Sequence, residues 1–253
     1  MRALAANLLL LSLVMLSCKP KAPAGEENNQ QANSDSTELI ESLDSFSAKG
    51  LTEVIDTIVK PEIPDDPMAW VDLVHMDPTV IIDMRYATTN NFVEEKIYEC
   101  GRCYLRKGVA DGVLKVHHEL QKKGMSLKFF DCFRPRPFQQ KLWDKVPDPR
   151  YVTNPAKGSM HNRGAAVDVT IVDANGNELD MGTGFDYFGP EAWHTYTELS
   201  DEILANRQLL KSSMEVAGFR SIRTEWWHYS YAKMKGFGLS DYLWDCENYE
   251  SKN

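Results

Sequence analysis

The chain has 253 residues, 43% of them apolar and 26% charged, with a formal net charge of −9. That length suits one large domain or two small ones, and the composition is that of an ordinary globular protein. An acidic balance of this size speaks against nucleic acid or an anionic membrane surface as a partner.

Taken in order, residues 1–17 read as an export signal. Arg2 gives a short basic start, and Leu8–Leu16 is apolar except for Ser12. This run is too short to span a bilayer as a helix. Ser17-Cys18 follows, and a small residue before a cysteine at this point resembles a bacterial lipoprotein signal. Lipidated Cys18 would then be the membrane anchor, with the protein exported and facing the periplasm or the cell exterior. Leu16 is bulkier than that pattern prefers, so cleavage near Ser17 without a lipid is the alternative. Residues 18–66 suggest a disordered tether: Glu26–Ser36 has no apolar period, Thr37–Phe46 reads as a weak helix, and the segment ends in a stretch holding Pro61 and Pro64. The folded domain is expected over 67–253.

Within it, Thr79–Ala87 starts with a β-branched apolar run and predicts a strand. Arg106 to Lys123 predicts a helix, because Val109, Val113, Val116 and Leu120 recur on one face and Gly124 can end it. Ser126–Phe133 reads as a strand, and Arg134-Pro135 opens a short helix through Trp143. Ala165 to Val172 alternates and reads as a strand running into Ala174-Asn175-Gly176-Asn177, where Asn-Gly signals a hairpin. Asp201 to Ala217 is a helix stopped by Gly218, and Thr224–Tyr231 is an aromatic-rich strand. The order predicts an α+β fold, a central antiparallel sheet with flanking helices.

Beyond Cys18 there are four cysteines: Cys100, Cys103, Cys132 and Cys246. Export permits disulfides. Cys100 and Cys103 form a C-x-x-C with no second pair to complete a zinc knuckle, so a structural bridge or buried thiols is expected. Four cysteines allow three pairings, and the sequence does not choose among them.

Six histidines offer metal-binding or acid–base chemistry. His117 and His118 are neighbours on the predicted helix and point about 100° apart, so they cannot share an ion; they read as surface or helix-face residues. His75 has no nearby carboxylate pattern. His194 sits in a Trp-flanked loop, where a structural role is favoured. His161 and His228 differ, since each is accompanied by a carboxylate. Asp168 follows His161 by seven residues, so the chain must double back for both to reach one ion. Asn162-Arg163-Gly164 is a plausible turn. Glu225 precedes His228 by three. Strict strand alternation would place the two on opposite faces, so a bend is needed for them to converge. His161, Asp168 and His228 would give three ligands with one position open for water, the arrangement of a catalytic zinc.

Ser159-x-His161-x6-Asp168 with Glu225-x-x-His228 resembles the zinc D,D-peptidases that act on peptidoglycan stems. Further stretches narrow the likeness: Asp83-Met-Arg-Tyr86, Asn91-Phe92, Cys103-Tyr-Leu-Arg106, Asp131-Cys-Phe-Arg134-Pro135 and Asp180-Met-Gly-Thr-Gly-Phe-Asp186. Together these resemble the D-alanyl-D-alanine dipeptidases, the branch that includes the vancomycin-resistance dipeptidase. The resemblance implies one Zn²⁺ per chain on His161, Asp168 and His228. It implies Glu225 as general base and proton donor, and Arg134 as stabiliser of the oxyanion. It also implies Tyr86, Ser159 and Asp186 near the amino end of a small D,D-dipeptide. An exported enzyme would meet dipeptides released from the wall, so recycling or scavenging is expected before resistance. Two other readings stay open at this level: a D,D- or L,D-carboxypeptidase on longer stem peptides, and a non-catalytic wall-binding lipoprotein with a structural zinc.

Overall fold

A computed structural model describes residues 62–233 and 235–247 of the chain. All of them belong to one unit, Lys60–Asn253. The signal and nearly all of the tether expected above, with Cys18, lie outside the described residues.

The first element is strand β1 (Trp70–Asp72), whose Asp72 caps the one-turn helix α1 (Leu73–Met76) by accepting from Val74 N. Strand β2 is only Ile81–Ile82, and Arg85–Ala87 is a 3₁₀ turn. The expected strand over Thr79–Ala87 is therefore cut short, and Tyr86 is buried on a turn. Strand β3 (Tyr104–Arg106) pairs antiparallel with β1 in a separate two-stranded ribbon. Neither was legible in the sequence, because three residues carry no period. Helix α2 (Lys107–Gln121) buries the predicted stripe Val109, Val113, Val116 and Leu120. His117 is a correction: it is fully buried, and its Nδ1 accepts from Leu127 N.

Strand β4 (Ser126–Asp131) leads through Pro135 into helix α3 (Arg136–Lys145). Strand β5 (Ala166–Val172) is buried at all seven positions, not at alternate ones, because it lies inside the sheet and is covered on both faces. The Asn-Gly turn after it forms, but the returning chain makes only the bridge Val172–Glu178. Helix α4 (Asp201–Ala217) is capped by Ser200, whose hydroxyl accepts from Ile203 N, and ends at Gly218 with φ 100°. A two-residue link joins β6 (Phe219–Ile222), which the sequence did not reveal, to β7 (Glu225–Tyr231).

The main sheet has the order β2-β4-β5-β7-β6. Its pairs are antiparallel except for parallel β2–β4 at one edge. The α+β class holds, with that one parallel pair added. Two disulfides resolve the pairing: Cys100 to Cys246 and Cys103 to Cys132. The C-x-x-C is not bridged internally; each of its cysteines reaches a different element. No helix among the described residues is long and apolar enough to cross a membrane.

Candidate active site

The centre of the site is a row across three strands. Register places Asp131 of β4 opposite Asp168 of β5, and Asp168 opposite His228 of β7. The β4–β5 pairing shifts between Phe129 and Asp131, a bulge at the rim of the site. His161 arrives from the 3₁₀ turn His161–Arg163, which ends at Gly164 with φ 67°. A Cβ there would stand 2.2 Å from the Trp70 ring, so glycine is required both by conformation and by space. This turn is the doubling-back that the spacing of His161 and Asp168 demands.

His161 Nε2, His228 Nδ1 and Asp168 Oδ1 face one another. The separations are 3.1 Å between the two imidazoles, 3.0 Å from His228 to Asp168 and 3.3 Å from His161 to Asp168. Donors around a tetrahedral zinc stand about 3.3–3.5 Å apart, given bonds of about 2.0–2.2 Å. The donor set therefore fits that ion. The tautomers agree with this. Cys132 O can only accept, so His161 Nδ1–H donates to it at 2.6 Å and the Nε2 lone pair is left for the site. His228 Nε2 lies 3.0 Å from Ser230 Oγ, and a hydrogen bond there leaves Nδ1 for the site. Burial disfavours the Asp168 charge, but its hydrogen bonds and charge interactions with His161 and His228 prevail and hold its carboxyl well below the usual range.

Glu225 stands at the start of β7. Between Ser221 and Ile222, β6 advances one residue while β7 advances four, from Tyr229 to Glu225. This is the irregularity needed to bring Glu225 to the same site as His228. Burial raises the Glu225 carboxyl above its ordinary pKa; the charge of Asp168 adds to this, and those of His228, His161 and Arg134 oppose it. A carboxylate of raised basicity beside a metal-binding triad is suited to taking and returning a proton.

Arg134 is 8% exposed. Its Nε and Nη2 donate to Asp131 Oδ2 at 2.9 and 2.6 Å, and its Nη1 donates to Gln139 Oε1 at 3.1 Å. These contacts engage three of the five N–H groups of a guanidinium and leave others for a ligand. Its Cζ lies 4.8 Å from the centre of the Tyr86 ring, and its Nη2 is 3.9 Å from Asp168 Oδ2. Asp131 is the hub behind the site and was not singled out from the sequence. It is fully buried, accepts from Tyr98 Oη at 2.9 Å as well as from Arg134, and lies 3.6 Å from His161 Nδ1. The signal for it was present: an acid three residues before an arginine that turns back at Arg-Pro.

Tyr86 Oη donates to Asp186, 3.0 Å from Oδ2 and 3.3 Å from Oδ1. Asp186 has φ 60°, one of two non-glycine residues in the left-handed region among those described. Burial pushes its carboxyl well above the ordinary range, the Asp168 and Glu225 charges add to this, and Arg134 and the Tyr86 hydrogen bond oppose it. Ser159 takes no part in this pair. Its Oγ accepts from Asn162 N at 3.3 Å, at the head of the turn that carries His161.

Residues 67–244 match the Peptidase_M15 family model, described as D-ala-D-ala dipeptidase. The chain belongs to this family. The D-alanyl-D-alanine dipeptidase of Escherichia coli (strain K12) is 34% identical over 72% of this chain and 94% of that protein. The D-alanyl-D-alanine dipeptidase of Enterococcus faecalis (strain ATCC 700802 / V583) is 29% identical over 58% of this chain and 83% of that protein. A solved vancomycin-resistance D,D-pentapeptidase in complex with Zn(II) aligns with a TM-score of 0.35 and 15% identity over 51% of this chain and 73% of that one, too slight a likeness to bear on the site. Family membership covers the whole segment from the first strand to Trp244, so every residue of the site lies inside it.

Proposed function

We propose that this protein is a zinc-dependent dipeptidase that hydrolyses D-Ala-D-Ala, and related short dipeptides of D-residues, to free amino acids. The observation that carries this is the convergence of His161, Asp168 and His228 next to Glu225 and Arg134 in a chain of the D-Ala-D-Ala dipeptidase family. His161 Nε2, Asp168 Oδ1 and His228 Nδ1 would hold the ion. When bound, it supplies Lewis acidity, polarising a carbonyl and acidifying water. Glu225 takes the proton of the attacking water and delivers it to the departing amine. The N–H groups of Arg134 that Asp131 and Gln139 leave free meet the negative charge that develops on the carbonyl oxygen. Asp131 holds that guanidinium in place, so little reorganisation is needed as the charge forms.

A dipeptidase must also recognise a free α-ammonium. In this reading Asp186 and Tyr86 receive it, and Ser159 assists from the His161 turn. The surroundings of Asp186 support the assignment: a buried acid already near Asp168 and Glu225 is stabilised when a cation arrives. We further propose that residues 1–17 direct export, that lipidated Cys18 anchors residues 18–66 as a tether, and that the catalytic domain of 67–253 works outside the cytoplasm on dipeptides released from the wall.

The test is a substrate panel with the purified domain: D-Ala-D-Ala, L-Ala-L-Ala and an N-acetylated D,D-peptide, each with and without a chelator. Hydrolysis of D-Ala-D-Ala alone, lost on chelation and restored by zinc, is expected. Equal turnover of the acetylated peptide would instead identify a carboxypeptidase acting on longer stems.

A further inference from the structure

The loop that carries Asp186 has both of its feet on one side chain. Arg207, on α4, is 4% exposed. Its Nε donates to Met181 O at 2.7 Å, its Nη2 to Glu191 O at 2.8 Å and its Nη1 to Trp193 O at 3.3 Å. Met181 lies five residues before Asp186, and Glu191 five residues after it. The neighbouring Asn206 adds Nδ2–H to Asp180 O at 3.0 Å. One guanidinium therefore sets the distance between the two ends of a loop whose midpoint is Asp186.

Stability alone does not account for an arginine at this position. A buried cation bonded only to neutral carbonyls bears a desolvation cost, and no carboxylate within ion-pair distance of Arg207 is found among the described residues. What the planar fork supplies is geometry, since it fixes three carbonyls in one plane. Geometry is what Asp186 requires. Its φ of 60° is uncommon for a residue with a Cβ, and contacts of the surrounding chain help to hold it. The sequence hides this link: Asn206-Arg207 reads as part of an ordinary helix, with Arg207 sixteen residues past the end of the loop.

We propose that Arg207 is a positioning residue for amine recognition. It holds the loop from Met181 to Glu191 so that the Asp186 carboxylate stands against Tyr86 at the substrate's free amino group, with Asn206 as a weaker second tie. The inference rests on the reading of Asp186 given above.

The experiment compares wild type, Arg207→Lys and Asn206→Ala as zinc-loaded proteins, on D-Ala-D-Ala and on its N-acetylated form. For Arg207→Lys, KM for the free dipeptide should rise about tenfold with kcat little changed, and the preference for the free amine should fall by a similar factor. Asn206→Ala should shift both in the same direction by less. Zinc content should stay at the wild-type level. Hydrogen exchange should quicken at amides 182–189 while β7 stays protected, a readout that needs no turnover. If wild type itself shows no preference for the free amine, the functional reading falls and this inference with it. If that preference exists and survives unchanged in Arg207→Lys, the inference alone is overturned. Should Arg207→Lys fail to fold, an unchanged preference and unchanged loop exchange in Asn206→Ala would overturn it equally.

Discussion

The proposed metal corner and the proposed amine corner of the site are built by different means. His228, Asp168 and Asp131 share one row of a hydrogen-bonded sheet, so their relative positions follow from strand register. Asp186 stands on a loop, and its position follows from a tyrosine hydroxyl and from side chains that bond the loop's backbone. A sheet ladder distributes the constraint over many bonds, whereas the loop depends on a few. The difference predicts that damage to the metal corner removes chemistry and damage to the amine corner removes selectivity.

Replacement of Glu225 by Gln offers the largest test. We expect kcat to fall by about 10²–10⁴-fold with KM and bound zinc nearly unchanged, because only proton transfer is lost. Zinc content is read by metal analysis, and turnover close to wild type would remove Glu225 from its assigned role. Asp186→Asn should produce the opposite pattern: KM for D-Ala-D-Ala rising by about 10–100-fold and kcat changing little. Equal losses in the two variants would erase the proposed division between the corners.

The Cys103–Cys132 disulfide sharpens the comparison from behind the metal. It fixes the segment whose Cys132 carbonyl accepts from His161 Nδ1. Changing both cysteines to Ser should lower unfolding free energy by about 3 kcal/mol, as expected for a loop of this length, and weaken zinc retention against a chelator. Urea unfolding and chelator competition measure the two effects; undiminished zinc retention would show that the carbonyl is held without the bridge.

The smallest effect concerns His194, just beyond the foot of the amine loop. Burial, with Lys211 and Arg207 adding, lowers its pKa from 6.5 to about 4, and its Nε2 is buried without a hydrogen-bond partner. Between those two values the unfolded chain binds more protons than the folded one. Stability contributed by the neutral ring is thus complete above about pH 6.5 and is lost as pH falls toward about 4. His194→Gln should flatten that part of a Tm-against-pH curve relative to wild type; parallel curves would show that the ring is not held neutral.

The helices and the long strands were legible because each carries a sustained apolar or aromatic pattern, and the end of α4 was marked by Gly218. The ribbon β1–β3 was not, since its three-residue strands gain their pairing from partners distant in sequence, and β6 was not, since four residues carry too little pattern even with its partner β7 two residues away. The candidate metal ligands and Glu225 could be named from residue type and spacing. Asp131 was marked only by its place before Arg134-Pro135 and Arg207 not at all, because each acts through groups it meets only after folding.

The amino-acid order alone thus indicated the fold class and which side chains are proposed to carry acid–base and ligand chemistry, since these follow from local pattern and residue type. Tertiary structure alone decided the cysteine partners, the turn-borne Tyr86 and the supports behind Arg134 and Asp186. Those depend on which backbone carbonyls and carboxylates come within hydrogen-bonding distance, and only the closed sheet and the packed α4 bring them there.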